Sequence, residues 1–317
     1  MMKKVFFWLF FLIITAAFAG QFFVSKLYET VTINPVIKKT IKIILVGDMM
    51  FDRGVKYMIE KDGDGDFKFP FLKIADELNQ ADIVFGNLEG PISDKGTKVG
   101  SIYSFRNDPK AVDGLTFAGF NVISLANNHA FDYSREALED CLTRLNAAGI
   151  TYAGAGFNEQ EAFSPAIKDV AGTKIGFLAY TNLGPETWRA NGENSGIAWI
   201  DNESLGLTAQ QIQKAKQDSD ILIVSLHAGE EYQATSTQFQ IDFNEMAIRA
   251  GADVVVNHHP HVIQQDFYSL GNFIFDQGFS EETMKGQIIE IEIQDKKIRG
   301  IARKDIKIND FFQPEIE

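Results

Sequence analysis

The chain has 317 residues, 45% of them hydrophobic and 23% charged, with Gly and Pro at ordinary levels, which excludes a disordered tail or a fibrous repeat and provides for a sizeable core. Its formal charge is −13; the first 24 residues hold Lys3 and Lys4 and no acid, so the remainder carries −15, which argues against a nucleic-acid binder. A single cysteine excludes a disulfide scaffold and a cysteine-only zinc site.

Residues 1–24, MMKKVFFWLFFLIITAAFAGQFFV, place two lysines before an apolar run from Val5 to Val24. This is the pattern of a membrane-targeting segment, cytoplasmic at its start. As a signal anchor it gives a single-pass cell-membrane protein with an extracytoplasmic domain. Ala17-Phe18-Ala19 also has the form of a signal-peptide cleavage site, which gives a secreted protein instead. Both readings export the rest: a polar connector over 25–40 and one domain over 41–317.

Within that domain short β-rich runs alternate with helical patterns. The runs are 41–46 (IKIILV), 82–85, 121–125, 174–180, 220–226, 252–256 and 267–270. The spacing predicts helices over Pro70–Asn79, Ser134–Ala148, Thr208–Gln217 and Phe239–Ala250, with Ser134 as an N-cap and Gly149 and Gly251 as stops. Ala137, Leu138, Cys141, Leu142 and Leu145 recur at helical spacing, which makes Cys141 a core residue. The tail alternates with period two over 288–293 and 297–308, predicting a closing antiparallel hairpin. Alternating strands and helices define the fold class as α/β, an α/β sandwich.

Polar residues stand at the ends of these runs: Asp48, Glu89, Asn127-Asn128-His129, His227 and the stretch His258 to His261. Carboxyl ends of strands form the ligand-binding edge of open α/β sheets, so all five histidines fall at one edge. Imidazoles with carboxylate and amide oxygens, and no thiolate, form a donor set for divalent transition metals such as Mn, Zn or Fe. The set Asp48, Glu89, Asn128, His227, His258 and His261 exceeds what one tetrahedral ion needs, which points to two metals sharing a carboxylate. Such a pair suits phosphoryl or acyl transfer to water.

The segments VGDMMFDRG (46–54), GNLEGPI (86–92), SLANNHAFDYS (124–134), SLHAGEEY (225–232), GADVVVNHHPHVIQ (251–264) and YSLGNFIFDQ (268–277) resemble, in order, the motifs of the CapA family of capsule poly-γ-glutamate synthesis proteins, within the calcineurin-like metallophosphoesterase superfamily. The resemblance implies a metallophosphoesterase-like α/β/β/α sandwich. It also implies Asp48 as the first-strand metal aspartate, Glu89 as the bridging carboxylate, and Asn128, His227, His258 and His261 as further ligands. His129 becomes the group that protonates a leaving group, with Arg53 and Asp132 orienting substrate or His129; His259 ranks below its neighbours because the family often carries a small residue there. Several positions depart from the family pattern. Met50 stands where superfamily phosphoesterases place a His, Asn257 and Ser134 where this family has Gly, and Ala228 where it has Trp; the connection from His261 to Tyr268 is short.

Weaker signals read as structure. Asp62 to Asp66 lacks the Gly and Glu of a calcium loop and reads as a solvated turn, Gly154-Ala155-Gly156 as a tight turn, and Glu230-Glu231 as a solvated loop. Ser225 and His227 lack the setting of a nucleophile elbow.

The resulting expectation is an exported metal-dependent hydrolase or transfer protein acting in poly-γ-glutamate or capsule polymer synthesis, anchorage or release. Its partners are that polymer or another envelope polymer, the membrane through the N-terminal helix, and membrane polymer-synthase subunits. Two alternatives stay open: a noncatalytic accessory subunit of such a synthase, and a general envelope phosphoesterase. A polymer-handling role for so acidic a domain requires a local cationic region, from metals or from Arg53 and Arg106.

Overall fold

The strand β1 (Ile41–Met49) is a run of β-branched and aliphatic residues buried on both faces, as a central strand covered on each side must be. In the computed structural model, which describes residues 39–317, it lies in an eight-stranded sheet. β2 (Ile83–Leu88), β3 (Phe120–Ser124) and β4 (Thr151–Ala153) follow it in parallel on one side. A second, four-stranded sheet contains β5 (Ala166–Val170), β6 (Thr173–Thr181), β7 (Ile221–His227) and β8 (Val254–His258), in the order β8-β7-β6-β5. β9 (Asn272–Ile274) pairs with the carboxyl end of β1, and β10 (Lys285–Gln294) pairs antiparallel with its start. β11 (Lys297–Ile308) and β12 (Pro314–Ile316) complete the large sheet.

Period-two alternation assigns the faces. Leu45, Phe85 and Val122 of the large sheet meet Phe177, Ile223 and Val256 of the small one in a core between the sheets. There the rings of Phe85 and Phe177 stack with centroids 5.4 Å apart. The alternate residues Ile44, Val46, Val84 and Ile123 face outward onto helices α1 (Arg53–Asp62), α2 (Ala111–Phe117) and α3 (Ser134–Ala147). Leu178, Leu222 and Val224 pack against α4 (Leu205–Gln217) and α5 (Gln238–Ala250). The layers are therefore helix, sheet, sheet, helix, and the α/β alternation of the sequence is what builds them.

The hairpin of β10 and β11 forms as its alternation requires, turning at Asp295 and Lys296, both with positive φ. α5 is closed by a Thr237–Gln240 capping box and by Gly251 at φ 112°, and Cys141 lies buried in α3, where burial pushes its thiol up to about 12. Three sequence expectations need correction. The helix over Pro70–Asn79 is instead a 3-10 turn at Phe69–Phe71, with Pro70 in the first turn where its missing N–H costs no bond, then a break at Ile74 (φ −129°) and a single turn at Ala75–Leu78. Ser134 starts α3 in a left-handed conformation, and no side-chain cap forms there. The run 267–270 keeps only Ser269–Leu270 as strand.

The expected membrane segment, residues 1–24, lies outside the described residues. Among those described, no helix is long and apolar enough to cross a membrane.

Candidate metal centre

Asp48 sits where β1 passes between β2 and β9, registered against Asn87 and Asn272. Gly47 makes this approach possible: a Cβ there would lie 2.0 Å from the carbonyl oxygen of Gly271, which accepts the Asp48 N–H at 3.1 Å. A register irregularity between Leu45 and Asp48 turns the carboxylate toward the inter-sheet side, against the simple alternation. On β2 the same face carries Phe85 and Asn87, and Glu89 follows directly beyond the strand's end. In the small sheet His227 and His258 are registered neighbours on parallel strands.

The structure brings the six expected ligands and His129 to one edge, at the carboxyl ends of β1, β2, β3, β7 and β8. Asp48 is fully buried; its Oδ1 accepts from Asn87 Nδ2 at 2.8 Å and its Oδ2 from the His259 N–H at 3.0 Å. His258 places Nδ1 3.3 Å from Asp48 Oδ1, yet neither of its ring nitrogens makes a hydrogen bond. His227 Nε2 lies 2.8 Å from Asn128 Oδ1, and its Nδ1 lies 3.2 Å from Asn87 Nδ2. Glu89 is the anomaly. It is fully buried, and neither carboxylate oxygen has a hydrogen-bond partner. Around it stand His227 Nε2 at 3.8 Å, His129 Nε2 at 3.8 Å and His261 Nε2 at 4.0 Å.

Electrostatics follow from that burial. Burial pushes the Glu89 carboxyl well above its usual range, with Asp48, Glu231 and Asp132 adding to it and Arg53 opposing. Asp48 goes the other way: burial raises its carboxyl, but the adjacent His258, with His227 and His261, holds it below the usual range. Burial depresses His227, His261 and His259, the last to about 3 with help from His261. Neutral imidazoles and the ionised Asp48 are in the state that donates lone pairs to a cation, and a cation beside Glu89 would displace the proton that burial favours there. An unpartnered carboxylate with both oxygens buried, and a His with both ring nitrogens unsatisfied, is a donor set that a divalent ion completes. Asp48, Glu89 and His227 offer donor atoms within 4.8 Å of one another, as do Glu231, His259 and His261.

His129 occupies a different setting. Its Nδ1 lies 2.6 Å from Asp132 Oδ2, which also accepts the Phe105 N–H at 2.7 Å, and the Phe105 ring stacks on the imidazole with centroids 4.1 Å apart. With Nδ1 engaged by a carboxylate, Nε2 is the nitrogen facing the centre. Arg53 lies over Phe105 at 4.6 Å and is ion-paired to Asp276. These groups line a cavity of about 610 Å³ that opens onto the centre, with Tyr103, Tyr232 and Phe279 among its aromatic wall.

Met50 packs into the hydrophobic core outside the large sheet and offers no ligand there. Ser134, which the resemblance reads as replacing a Gly, holds φ 73°, and the connection after His261 turns through Asp266 and Phe267 at φ 53° and 64°. His261 still reaches the centre, with Nδ1 2.9 Å from Asn272 Oδ1. Sequence reasoning missed Asn87 and Asn272, which position Asp48, His227 and His261; Asn87 was signalled by its place between Phe85 and Glu89. It also read Glu231 as a solvated loop residue, whereas Glu231 lines the cavity beside His259 and His261.

The profile of the family described as "Bacterial capsule synthesis protein PGA_cap" matches residues 42–277. The chain belongs to this family. It is 31% identical over 278 residues to the capsule biosynthesis protein CapA of Bacillus anthracis, covering 83% of this chain and 65% of that protein. It is 31% identical over 246 residues to the PGA biosynthesis protein CapA of Bacillus subtilis (strain 168), covering 74% and 63%. The chain thus spans a little under two thirds of the length of these relatives. Among solved structures, a phosphatase from Mycoplasma pneumoniae is similar with a TM-score of 0.48 and 17% identity, covering 86% of this chain and 95% of that one. The NAD nucleotidase of Haemophilus influenzae is similar with a TM-score of 0.43 and 11% identity, covering 88% and 60%.

The depressed histidines make the metal-free protein acid-sensitive. A His whose folded pKa lies below its unfolded value of 6.5 contributes stability that is complete above pH 6.5 and is lost as the pH falls toward the folded value. At about 1.4 kcal/mol per unit, His259 alone removes about 3 kcal/mol between pH 6.5 and pH 4. Urea midpoints across this range, with chelator present, are expected to fall steeply. A flat profile would contradict neutral buried imidazoles.

Proposed function

We propose that this member of the capsule synthesis family is an exported, metal-dependent hydrolase or transfer protein, phosphoesterase-like in its chemistry, acting on poly-γ-glutamate or another envelope polymer during its synthesis, anchorage or release. The observation that carries the proposal is the buried, unpartnered Glu89 carboxylate ringed by imidazole nitrogens at 3.8–4.0 Å. The relatives' roles in capsule and PGA biosynthesis supply the polymer. Residues 1–24 would hold the domain outside the membrane, near a polymer synthase.

Two divalent transition ions, Mn, Zn or Fe, would be held by Asp48, Glu89, Asn128, His227, His258 and His261. The chemistry such cations supply is charge neutralisation at the oxygens of an attacked phosphoryl or acyl group. The remaining work falls to the chain's own side chains. Arg53, fixed by Asp276 and resting on Phe105, offers a guanidinium at the cavity for an anionic substrate group. His129, steadied by Asp132, presents Nε2 for proton transfer to a leaving oxygen or nitrogen.

The test is turnover by the metal-loaded full chain on phosphomonoesters, phosphodiesters and poly-γ-glutamate. Cleavage of at least one class, arrested by chelator and restored by Mn or Zn, is the expected result. No turnover on any of them, together with normal polymer yield in cells carrying His129→Ala, would overturn catalysis and leave the accessory-subunit reading, which the core position of Met50 favours.

A further inference from the structure

We propose that Glu231, His259 and His261 form the second cation position of this centre, with Glu231 supplying the donor that Met50 does not. The inference rests on the metal reading above and extends it to two residues which that ligand set leaves out.

Four observations carry it. The donor atoms of these three residues lie within 4.8 Å of one another, the spacing also found for Asp48, Glu89 and His227. Two such trios share no residue, so each can serve its own ion. His259 is 6% exposed, and its Nδ1 is buried without a hydrogen-bond partner. A satisfied structural histidine would not leave that atom unpaired.

The protonation of His261 is fixed by its neighbour. Asn272 Nδ2 donates to Gln277 Oε1 and to the Thr283 carbonyl, both at 2.9 Å, so Oδ1 is the end of the amide that faces His261. It accepts from Nδ1–H, which leaves Nε2 with its lone pair free. That Nε2 lies 4.0 Å from Glu89 Oε1, which is itself 3.8 Å from His227 Nε2. Glu89, a member of the first trio, therefore also faces the His261 nitrogen of the second.

The loop bearing Glu231 is tied to the histidine segment. The Tyr232 N–H donates to the Pro260 carbonyl at 2.8 Å, and the Tyr232 ring lies against His261. Met50 is committed to the core, so the superfamily's usual donor beside Asp48 is absent and a carboxylate from another loop takes up the role. Two imidazoles and a carboxylate select a borderline divalent ion such as Mn, Fe or Zn.

Metal content of the full chain after equilibrium dialysis against Mn and then Zn tests this, with Glu231→Gln compared with Glu230→Gln, which removes the same charge one residue away. Wild type and Glu230→Gln are expected to hold about two ions per chain. Glu231→Gln is expected to hold about one, its second ion weakened tenfold or more. Because Glu231 is exposed, the variant should fold, and its far-ultraviolet circular dichroism should match wild type. Retention of two tight ions by Glu231→Gln would overturn the inference while sparing the metal reading. A wild type that binds no metal would overturn both.

Discussion

Glu89→Gln is expected to abolish metal binding at both positions while making the metal-free protein more stable. The two effects share one cause. The wild-type carboxylate is fully buried and unpartnered, and burial holds its folded pKa well above the unfolded value of 4.5. Over the interval from pH 4.5 up to that raised value, the unfolded chain gives up the Glu89 proton more readily than the folded one. Stability falls as the pH rises through this window. An amide in the same place does not ionise, so the alkaline penalty disappears, and the metal-free variant should be the more stable of the two near pH 8. With metal present the order reverses. An ion at 100 times its dissociation constant stabilises the wild type by about 2.7 kcal/mol, and the variant by nothing. Thermal melts with chelator and with Mn should therefore cross: the variant higher without metal, the wild type higher with it. A variant that is weaker in both conditions would mean that Glu89 holds the fold together through contacts other than a cation.

His129→Ala should lower kcat by about 10²–10⁴ while leaving metal content unchanged, the range typical for loss of a positioned acid–base group. The separation is possible because His129 faces the centre from the cavity side. Its Nδ1 is engaged by Asp132, the Phe105 ring covers one face, and its backbone N–H donates to Asn127 Oδ1 at 3.0 Å. Asp132→Asn should lower kcat as well, through loss of the orientation that the 2.6 Å contact provides. If His129→Ala lost metal in proportion to activity, His129 would be a ligand and the proton-transfer role would fall.

The sequence made the layered fold legible because its alternation is unusually regular. The runs beginning at 41, 220 and 252 are apolar on both faces, as strands between two covering layers must be, and the polar residues at their ends mark the carboxyl edge. Asp48, Glu89, His227 and His258 could be placed together on that logic alone. What it did not show depends on approach between distant segments. Asn272 reaches Asp48 only because Gly47 and Gly271 let two backbones come close, a contact across more than two hundred residues. Glu231 looked solvated because it is exposed; its relation to His259 and His261 comes from the tether between Tyr232 and Pro260, which has no periodic signature. The helix over Pro70–Asn79 is broken at Ile74, whose backbone at φ −129° leaves the helical region between the two short turns, a local departure with no signature in the periodicity.

The most direct test of the account is the metal content of the purified full chain, by elemental analysis after dialysis against Mn or Zn, beside Asp48→Ala/Glu89→Gln. Stoichiometric divalent metal is expected in the wild type and none above background in the double variant. A wild type that emerges metal-free, folded and unchanged in thermal stability by either ion would contradict it.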